Sequence, residues 1–143
     1  MALTSRQTVR EEVSALWDGI TELQANYSYP ILQLDGSSPI VDIRNGGTRP
    51  MFVSKSTNQI DHTFKVRIFV NRQAHGGDGG AEQMLDLIWL KIMQACRDNV
   101  TGTSFMELVV DDQPSEADFA ETLDGIPYRI EEITLFTRSN ANG

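Results

Sequence analysis

The chain has 143 residues, a single cysteine and a formal net charge of -8 at pH 7. This length suits one domain, 1–143, that buries roughly two thirds of its unfolded surface without needing a disulfide or a metal. The acidic balance argues against direct sequence-specific binding of nucleic acid, which requires clustered Lys and Arg. No apolar run approaches the roughly 20 residues that span a bilayer, and the N-terminus has no signal-peptide pattern. We therefore expect a soluble protein that is made in the cytoplasm and does not contact a membrane.

The first part of the chain predicts one helix. Apolar side chains recur at helical spacing from Val9 to Leu23, and Thr4 or Ser5 precedes them as an N-cap. Pro30 then favours a loop, because the residue before a proline avoids helical geometry.

Three strand-like runs follow this helix. The runs 39–43 and 50–54 flank Asn45-Gly46, the commonest signal for a short hairpin. In the run 61–71, apolar and polar residues alternate, so one face should be core and the other basic, with Phe69 on the basic face. Because this strand is long, we expect its end nearest the following glycines to project beyond the body of the domain.

A second helical pattern covers 81–98 and carries a broad apolar arc on about half of its circumference. The arc consists of Met84, Leu85, Ile88, Trp89, Ile92, Met93, Ala95 and Cys96. Leu87 and Leu90 fall on the opposite side, where they are either incidentally exposed or face a partner protein. Cys96 is interpreted as a small buried hydrophobe.

Two further strands are predicted over 104–110 and 125–138. In the second of them, Tyr128 and Ile130 alternate in one register, whereas Ile133 and Leu135 alternate in the other. Either both faces are buried at the end of the strand or a bulge near Glu131-Glu132 resets the alternation, and the bulge is slightly favoured. Residues 136–143 are expected to form a flexible end. The order of elements predicts an α+β fold, a mainly antiparallel sheet with two helices packed on one face.

The segment QAHGGDGGAEQ, 73–83, joins the long strand to the second helix and invites comparison with phosphate-binding loops. Gly77 and Gly79 match the first two positions of the dinucleotide fingerprint, but Glu82 stands at the third, where its carboxylate would repel a pyrophosphate. No lysine follows the glycines before Lys91, so the P-loop pattern fails as well. We interpret the segment as a flexible linker with Asp78 as the helix cap.

No catalytic or metal-binding motif emerges from the remaining residues. His62 and His75 are not spaced to share a helix face, and no carboxylate run matches a calcium loop. Asp111-Asp112 could bind a cation, but a solvated acidic loop explains the pair better. No serine lies in a G-x-S-x-G motif. The sequence therefore predicts a protein that is not an enzyme and that holds no metal or cofactor.

Surface charge instead suggests protein contacts. Basic residues cluster on the long strand and the loops before it, whereas 111–124 carries only acidic charges. If these regions lie on different sides of the domain, copies could associate head to tail and close into a ring. The alternative is that the charges are scattered on a monomer. The candidate interface residues are Arg44, Arg49, Lys65, Arg67, Phe69, Arg72, His75, Asp78, Leu87, Leu90, Asp111 and Asp112.

The layout resembles the tail terminator, or tail completion, proteins of long-tailed bacteriophages. The resemblance lies in the helix TVREEVSALWDGI, the strands near PIVDI and TFKVRIFVN, the helix AEQMLDLIWLKIMQAC and the closing strand LDGIPYRIEEITLFTR. It covers nearly the whole chain but consists of length, element order and patterning, with no invariant motif. The family supplies no catalytic residues to carry over.

The resemblance implies a virion protein, made in the host cytoplasm, that forms a ring, typically a hexamer, on the finished tail tube. Such a ring ends tube polymerisation and joins the tail to the head connector. The partners it implies are other copies of the chain, the tail tube protein and a head-tail connector or neck protein. The alternatives are another neck or adaptor protein, a tail-tube protein of the same assembly, or a small enzyme that uses the glycine loop 76–80.

Overall fold

The computed structural model describes residues 4–31, 34–52, 58–111, 113, 116–123 and 125–140. The elements are α1 (Arg6–Ala15), β1 (Ala25–Tyr27), β2 (Ile40–Phe52), β3 (Asn58–Asn71), α2 (Asp78–Asp98), β4 (Glu107–Val110), β5 (Glu116–Leu123) and β6 (Ile126–Asn140). The strands form one sheet in the order β1-β2-β3-β6-β4, and β5 pairs with β6. Among the described strands, β1–β2 is the one parallel pair. The α+β prediction is thus confirmed, although the sequence did not reveal β1 and β5.

Both helices pack on one face of the sheet and form its main core. Helix α1 begins at Ser5, whose Oγ accepts a hydrogen bond from the Thr8 amide at 3.0 Å, as the N-cap prediction requires. The helix ends at Ala15, but the turns that follow still deliver Trp17 to the same core. The buried core side chains are Val9, Val13, Trp17, Ile20, Val41, Ile43, Phe64, Val66, Ile68, Val70, Ala81, Leu85, Ile88, Ile92, Cys96, Phe105, Leu108, Ile133 and Leu135.

A second, smaller cluster lies on the opposite face of the sheet. It consists of Leu34, Ile40, Phe69, Tyr128 and Ile130. Hydrogen bonds hold the segment between β1 and β2 against the sheet. The Ile31 amide donates to Asp42 Oδ2 at 3.0 Å, and the Gly36 amide donates to the Tyr128 hydroxyl at 2.9 Å. This segment, here called the covering segment, therefore covers part of the sheet face that the helices leave open.

The hairpin predicted at Asn45-Gly46 is wrong, because β2 runs through that position as one continuous strand. The register between β2 and β3 shifts between Asn45 and Gly47, which marks a bulge. Gly47 has a φ of 137°, which glycine adopts readily. The glycines at 46 and 47, which would suit a tight turn, here allow the bulge. The described parts of β2 and β3 end at Phe52 and begin at Asn58, with 53–57 between them.

The bulge predicted near Glu131-Glu132 is also wrong. Strand β6 pairs with β3 in unbroken register from Tyr128, opposite Asn71, to Asn140, opposite Gln59. The alternation changes because the first half of β6 buries its side chains in the second cluster and the later half in the helix-side core. Of the flexible end predicted for 136–143, residues 136–140 instead belong to this strand, and 141–143 lie outside the described residues.

The expectation that β3 projects beyond the domain near the glycines is not met. Val70 is fully buried and Asn71 is 9% exposed. The Asn71 amide donates to Ser38 Oγ at 2.9 Å, so the covering segment closes over this end of the strand.

The glycines before α2 form a tight turn with defined roles. Gly76 and Gly77 have φ values of 83° and 91°, a region that side-chain-bearing residues avoid, and Gly77 is the N-cap. The predicted cap, Asp78, is instead the first helical residue. A Cβ on Gly80 would overlap the carbonyl oxygen of His75. The turn thus depends on missing side chains at particular positions.

Substitution of neighbouring glycines should separate these roles. We expect Gly80→Ala to lower the free energy of unfolding by about 2 kcal/mol or more, because the new methyl group must displace the backbone of His75. Gly79→Ala is the matched control, since no atom lies within 4 Å of a Cβ there. It should leave stability unchanged or raise it by up to about 1 kcal/mol. Urea unfolding followed by circular dichroism measures both, and equal effects would contradict the close contact at Gly80.

Candidate interaction surfaces

The ionisable and nucleophilic side chains do not converge on a catalytic or metal site within the described residues. No group of three or more His, Cys, Asp or Glu side chains could hold a metal there. Burial raises the pKa of the Cys96 thiol to about 12, which keeps it protonated and unreactive. Within the described ranges, neither α1 nor α2 has the continuous apolar length that a bilayer crossing requires.

One serine and one histidine do meet, a contact that sequence spacing did not reveal. Ser38 Oγ lies 2.8 Å from His75 Nε2 and also accepts a hydrogen bond from the Asn71 amide. No carboxylate orients the other ring nitrogen of His75 among the hydrogen bonds of the described residues. The contact therefore fastens the covering segment to the loop after β3, and it places the interface candidate His75 in a half-buried position.

His62 is buried on the helix-facing side of β3. It is 3% exposed, and its Nδ1 lies 3.0 Å from Thr48 Oγ1. Burial, with a smaller contribution from the positive charge of Arg6, lowers the pKa of His62 below its ordinary value of 6.5. Within the described residues its buried Nε2 has no hydrogen-bond partner. The folded protein thus holds this imidazole neutral.

This burial predicts a loss of stability on mild acidification. The unfolded chain binds a proton at His62 near the ordinary value of 6.5, whereas the folded chain binds it only at lower pH. The stability that neutral His62 supplies is present above that value and is lost as the pH falls through it. Carboxylates whose pKa is lowered in the fold, such as those of Glu22 and Asp78, change the pH dependence of stability only below their ordinary pKa values of 4.5 and 3.8.

We therefore expect the free energy of unfolding of His62→Gln to fall less than that of the wild type between about pH 7 and about pH 5. Urea titrations across this range measure the difference. Tyr29→Gln is the control, because it changes an exposed side chain and leaves both histidines in place, and it should keep the wild-type pH dependence. An unchanged pH dependence in His62→Gln would contradict the assignment.

The N-terminus of α2 carries two compensated ion pairs around a concavity of about 340 Å³. Arg72 donates to both carboxylate oxygens of Asp78 at 2.9 and 3.1 Å, and Arg129 donates to Glu82 at 2.9 Å. These guanidinium groups lower the pKa of Asp78 and Glu82. The carboxylates remain charged at neutral pH and occupy the guanidinium groups, so the site does not favour an anion. Arg72 and Asp78, both interface candidates, contact each other.

The predicted basic face of β3 is neutralised by carboxylates on neighbouring strands. Arg44 and Lys65 both approach Glu132 of β6, at 2.6 and 3.4 Å. Arg67 binds Asp42 of β2, and its Nε lies 3.0 Å from Oδ1. Arg49 is exposed on the outer half of β2. The cross-strand register that creates these pairs cannot be derived from the sequence of one strand.

The burial of Phe69 contradicts the prediction of an exposed basic face most clearly. It is 1% exposed, because the segment before β2 covers it. Its ring lies 4.8 Å from the guanidinium carbon of Arg67 and 6.5 Å from the ring of Tyr128 in an edge-to-face arrangement. Phe69 is a core residue of the second cluster and cannot contact a partner in this fold.

The two basic residues of β3 should differ sharply in their contribution to stability. Asp42 is fully buried, and Arg67→Met would leave it with the Ile31 amide as its remaining donor among the described residues. We expect that change to cost about 3 kcal/mol. Lys65→Met, the matched control, removes a half-exposed partner of Glu132 and should cost less than about 1 kcal/mol. Chemical denaturation measures both variants, and similar costs would show that Asp42 does not depend on Arg67.

The outer face of α2 presents an apolar surface, here called the helix stripe, made of Leu87 and Leu90, which are 36% and 48% exposed. The two leucines lie opposite the core, as the helical wheel predicts. Trp89 corrects the predicted arc, because it lies at the edge of the buried positions and remains partly exposed. Uncharged Gln83 and Gln94 extend the outer face by one turn at each end.

A second apolar surface, here called the sheet patch, consists of Val109 on β4 and Phe136 on β6. These residues lie directly opposite each other in the antiparallel pair and are 44% and 40% exposed. They face away from the helices, because Leu108 and Leu135 beside them are buried in the helix-side core. A shallow cavity of about 270 Å³ adjoins them. The sequence missed this patch because 136–143 was assigned to a flexible end.

Charged residues mark the two ends of the sheet patch. At one end Arg138 binds Asp61 at 3.0 Å and lies 3.9 Å from Glu107. At the other end Asp111 follows β4, and its amide donates to Thr134 O at 2.9 Å. Asp111, an interface candidate, thus lies half-buried beside the patch, whereas Asp112 lies outside the described residues.

Comparison with known proteins does not assign a function to these surfaces. No protein-family model matches the chain, and no curated protein matches it. The solved structures that match include a chain described as "Virion of native gene transfer agent (GTA) particle". It is 16% identical, the match covers 90% of this chain and 84% of that chain, and the TM-score is 0.42. A score this low does not establish a shared fold, so the likeness carries no functional conclusion.

Proposed function

We propose that this chain is a structural virion protein that forms a ring on the end of a phage tail tube. The ring ends polymerisation of the tube and joins the tail to the head connector. The observation that carries the proposal is the pair of apolar surfaces on opposite sides of the sheet. The helix stripe lies on the outer face of α2, and the sheet patch lies on the face that the helices leave open.

Two unlike surfaces on one chain support association in a ring. A self-complementary dimer uses one surface twice, whereas a head-to-tail contact uses two different surfaces and closes when the rotation permits. Apolar groups exposed together in this way are typical of protein contacts. The charged side chains also support a contact that is made through apolar groups. The acidic residues at the start of α2 and on the open sheet face already form ion pairs with arginine residues of the same chain.

The order of elements in the sequence supports the specific role at the tail end. The opening helix, the long strand, the second helix and the closing strand resemble the tail terminator proteins over nearly the whole chain. The proposed partners are further copies of the chain, the tail tube protein and a head-tail connector or neck protein. The proposed location is the virion, after synthesis in the host cytoplasm.

Interruption of the gene tests this role. We expect a stop codon early in this chain, in the virus that encodes it, to give tail tubes that exceed the normal length and lack heads. The physical reason is that an uncapped tube end keeps adding subunits. Electron microscopy of negatively stained lysates measures both properties, and expression of the intact chain in trans is the control.

The same images separate the proposal from its alternatives. Tubes of normal length without heads would indicate a neck or adaptor protein. Complete absence of tubes would indicate a tail-tube protein. Normal tails joined to heads would overturn a role in tail completion.

A further inference from the structure

We infer that Asn45 is a site of spontaneous deamidation, at which the backbone nitrogen of Gly46 attacks the side-chain amide. The Asn-Gly pair that predicts a hairpin forms a bulge in β2, and both of its residues are exposed to solvent. The reaction needs only water and the chain itself, so it is independent of the proposed function.

The reaction is an intramolecular substitution followed by hydrolysis. After the Gly46 amide gives its proton to solvent, its nitrogen bonds to Asn45 Cγ, the bond from Cγ to Nδ2 breaks, and Nδ2 takes up a proton and leaves as ammonia. Water then opens the resulting succinimide. Opening at Cγ leaves aspartate, whereas opening at the main-chain carbonyl carbon leaves isoaspartate. The net change converts one side-chain amide and one water into one carboxylic acid and one ammonia.

The backbone nitrogen of Gly46 is an accessible nucleophile. In the register of β2 and β3, Asn45 pairs with Phe64 and Gly47 pairs with Thr63, so Gly46 is the extra residue of the bulge and has no partner. Beyond the short pairing with β1, no described strand covers the other edge of β2. Glycine also has no side chain to hinder the approach of its nitrogen to Cγ. The bulge therefore leaves this nitrogen outside the strand ladder.

The side-chain carbonyl of Asn45 is polarised by Arg10 of α1. Arg10 Nη1 donates to Asn45 Oδ1 at 3.1 Å, and it is the oxygen that faces Arg10, because a guanidinium group can only donate. Arg10 Nε donates to Ser28 O at 2.7 Å, which fixes the guanidinium group in place. Negative charge develops on Oδ1 when the ring forms. The neighbouring positive charge stabilises it and so lowers the barrier.

The other asparagines whose side chains the structure describes do not combine these features. Asn26, Asn71 and Asn99 are followed by tyrosine, arginine and valine, whose side chains hinder attack by the next nitrogen. Their Nδ2 groups each donate to a main-chain carbonyl oxygen, at 2.9, 3.1 and 2.8 Å. A second Asn-Gly pair, 142–143, lies outside the described residues.

Deamidation would change the contact that joins α1 to the sheet. Aspartate at position 45 would exchange a hydrogen bond to Arg10 for an ion pair, and it would add a negative charge to a chain whose net charge is -8. Isoaspartate would instead add one carbon atom to the main chain, which would disturb the pairing of β2 with β3 at the bulge. The two products therefore act on the same contact in opposite directions.

Peptide mapping of the folded, purified chain by mass spectrometry tests the site. During incubation at mildly alkaline pH, we expect the peptide that contains Asn45 to deamidate at least about tenfold faster than those containing Asn71 and Asn99. Incubation in heavy-oxygen water labels each new carboxylate and excludes earlier events, and fragmentation by electron transfer distinguishes isoaspartate from aspartate. Asn45→Gln is the control, because its longer side chain must close a larger ring. Deamidation of Asn45 at the same rate as Asn71 and Asn99 would overturn the inference.

Two arginine variants test the part played by α1. We expect Arg10→Met to slow the loss of the Asn45 amide about threefold. Arg6→Met is the matched control, because Arg6 lies one turn earlier on α1 and donates to Thr48 Oγ1 at 3.2 Å, and it should leave the rate unchanged. Circular dichroism confirms that both variants are folded. An Arg10→Met rate equal to or above that of the wild type would show that Arg10 does not activate the amide.

Asn45→Asp tests the consequence of the reaction, because it reproduces one of the two products. We expect its urea midpoint to lie above that of the wild type, and we expect this rise to disappear when Arg10→Met is also present. A rise that persists without Arg10, or a midpoint below that of the wild type, would overturn the ion pair with Arg10.

Discussion

The buried carboxylate of Asp42 is the constraint on which the open face of the sheet depends. A charged group with no solvent contact needs partners that replace its lost hydration. Arg67 supplies two hydrogen bonds from the neighbouring strand, and the Ile31 amide supplies a third. The ion pair therefore joins β2 to β3 and also fixes the segment that crosses above them. Arg67 in turn lies against Phe69, so charge and packing stabilise the same place.

The covering segment divides the open face into two parts with different surfaces. Near the glycine turn, Tyr128 is fully buried and its hydroxyl accepts a hydrogen bond from Gly36. Toward the other end of β6 no such cover is present among the described residues, and Phe136 remains 40% exposed beside Val109. The sheet patch thus lies where the cover ends. Its exposure follows from the length of one loop rather than from unusual composition.

Local periodicity explains which parts of the fold the sequence predicts. Alternation in 61–71 and helical spacing in 81–98 give β3 and α2 nearly at their observed bounds, because each pattern reports burial on one side of one element. Predictions of features that depend on contacts between two elements are wrong. Phe69 is buried by a distant loop, and Asn45-Gly46 forms a bulge because β3 continues beside it. Trp89 is partly exposed because the sheet covers less of α2 than its apolar arc suggests.

The position of β6 has a consequence for how the chain reaches this structure. It follows the other described elements in sequence, yet it lies between β3 on one side and β4 with β5 on the other. During synthesis, one edge of β3 therefore stays unpaired until 126–140 leave the ribosome. Until then α2 has no complete sheet to pack against. The order of translation and the order of assembly are opposed here, which favours late, cooperative closure of the domain around its final strand.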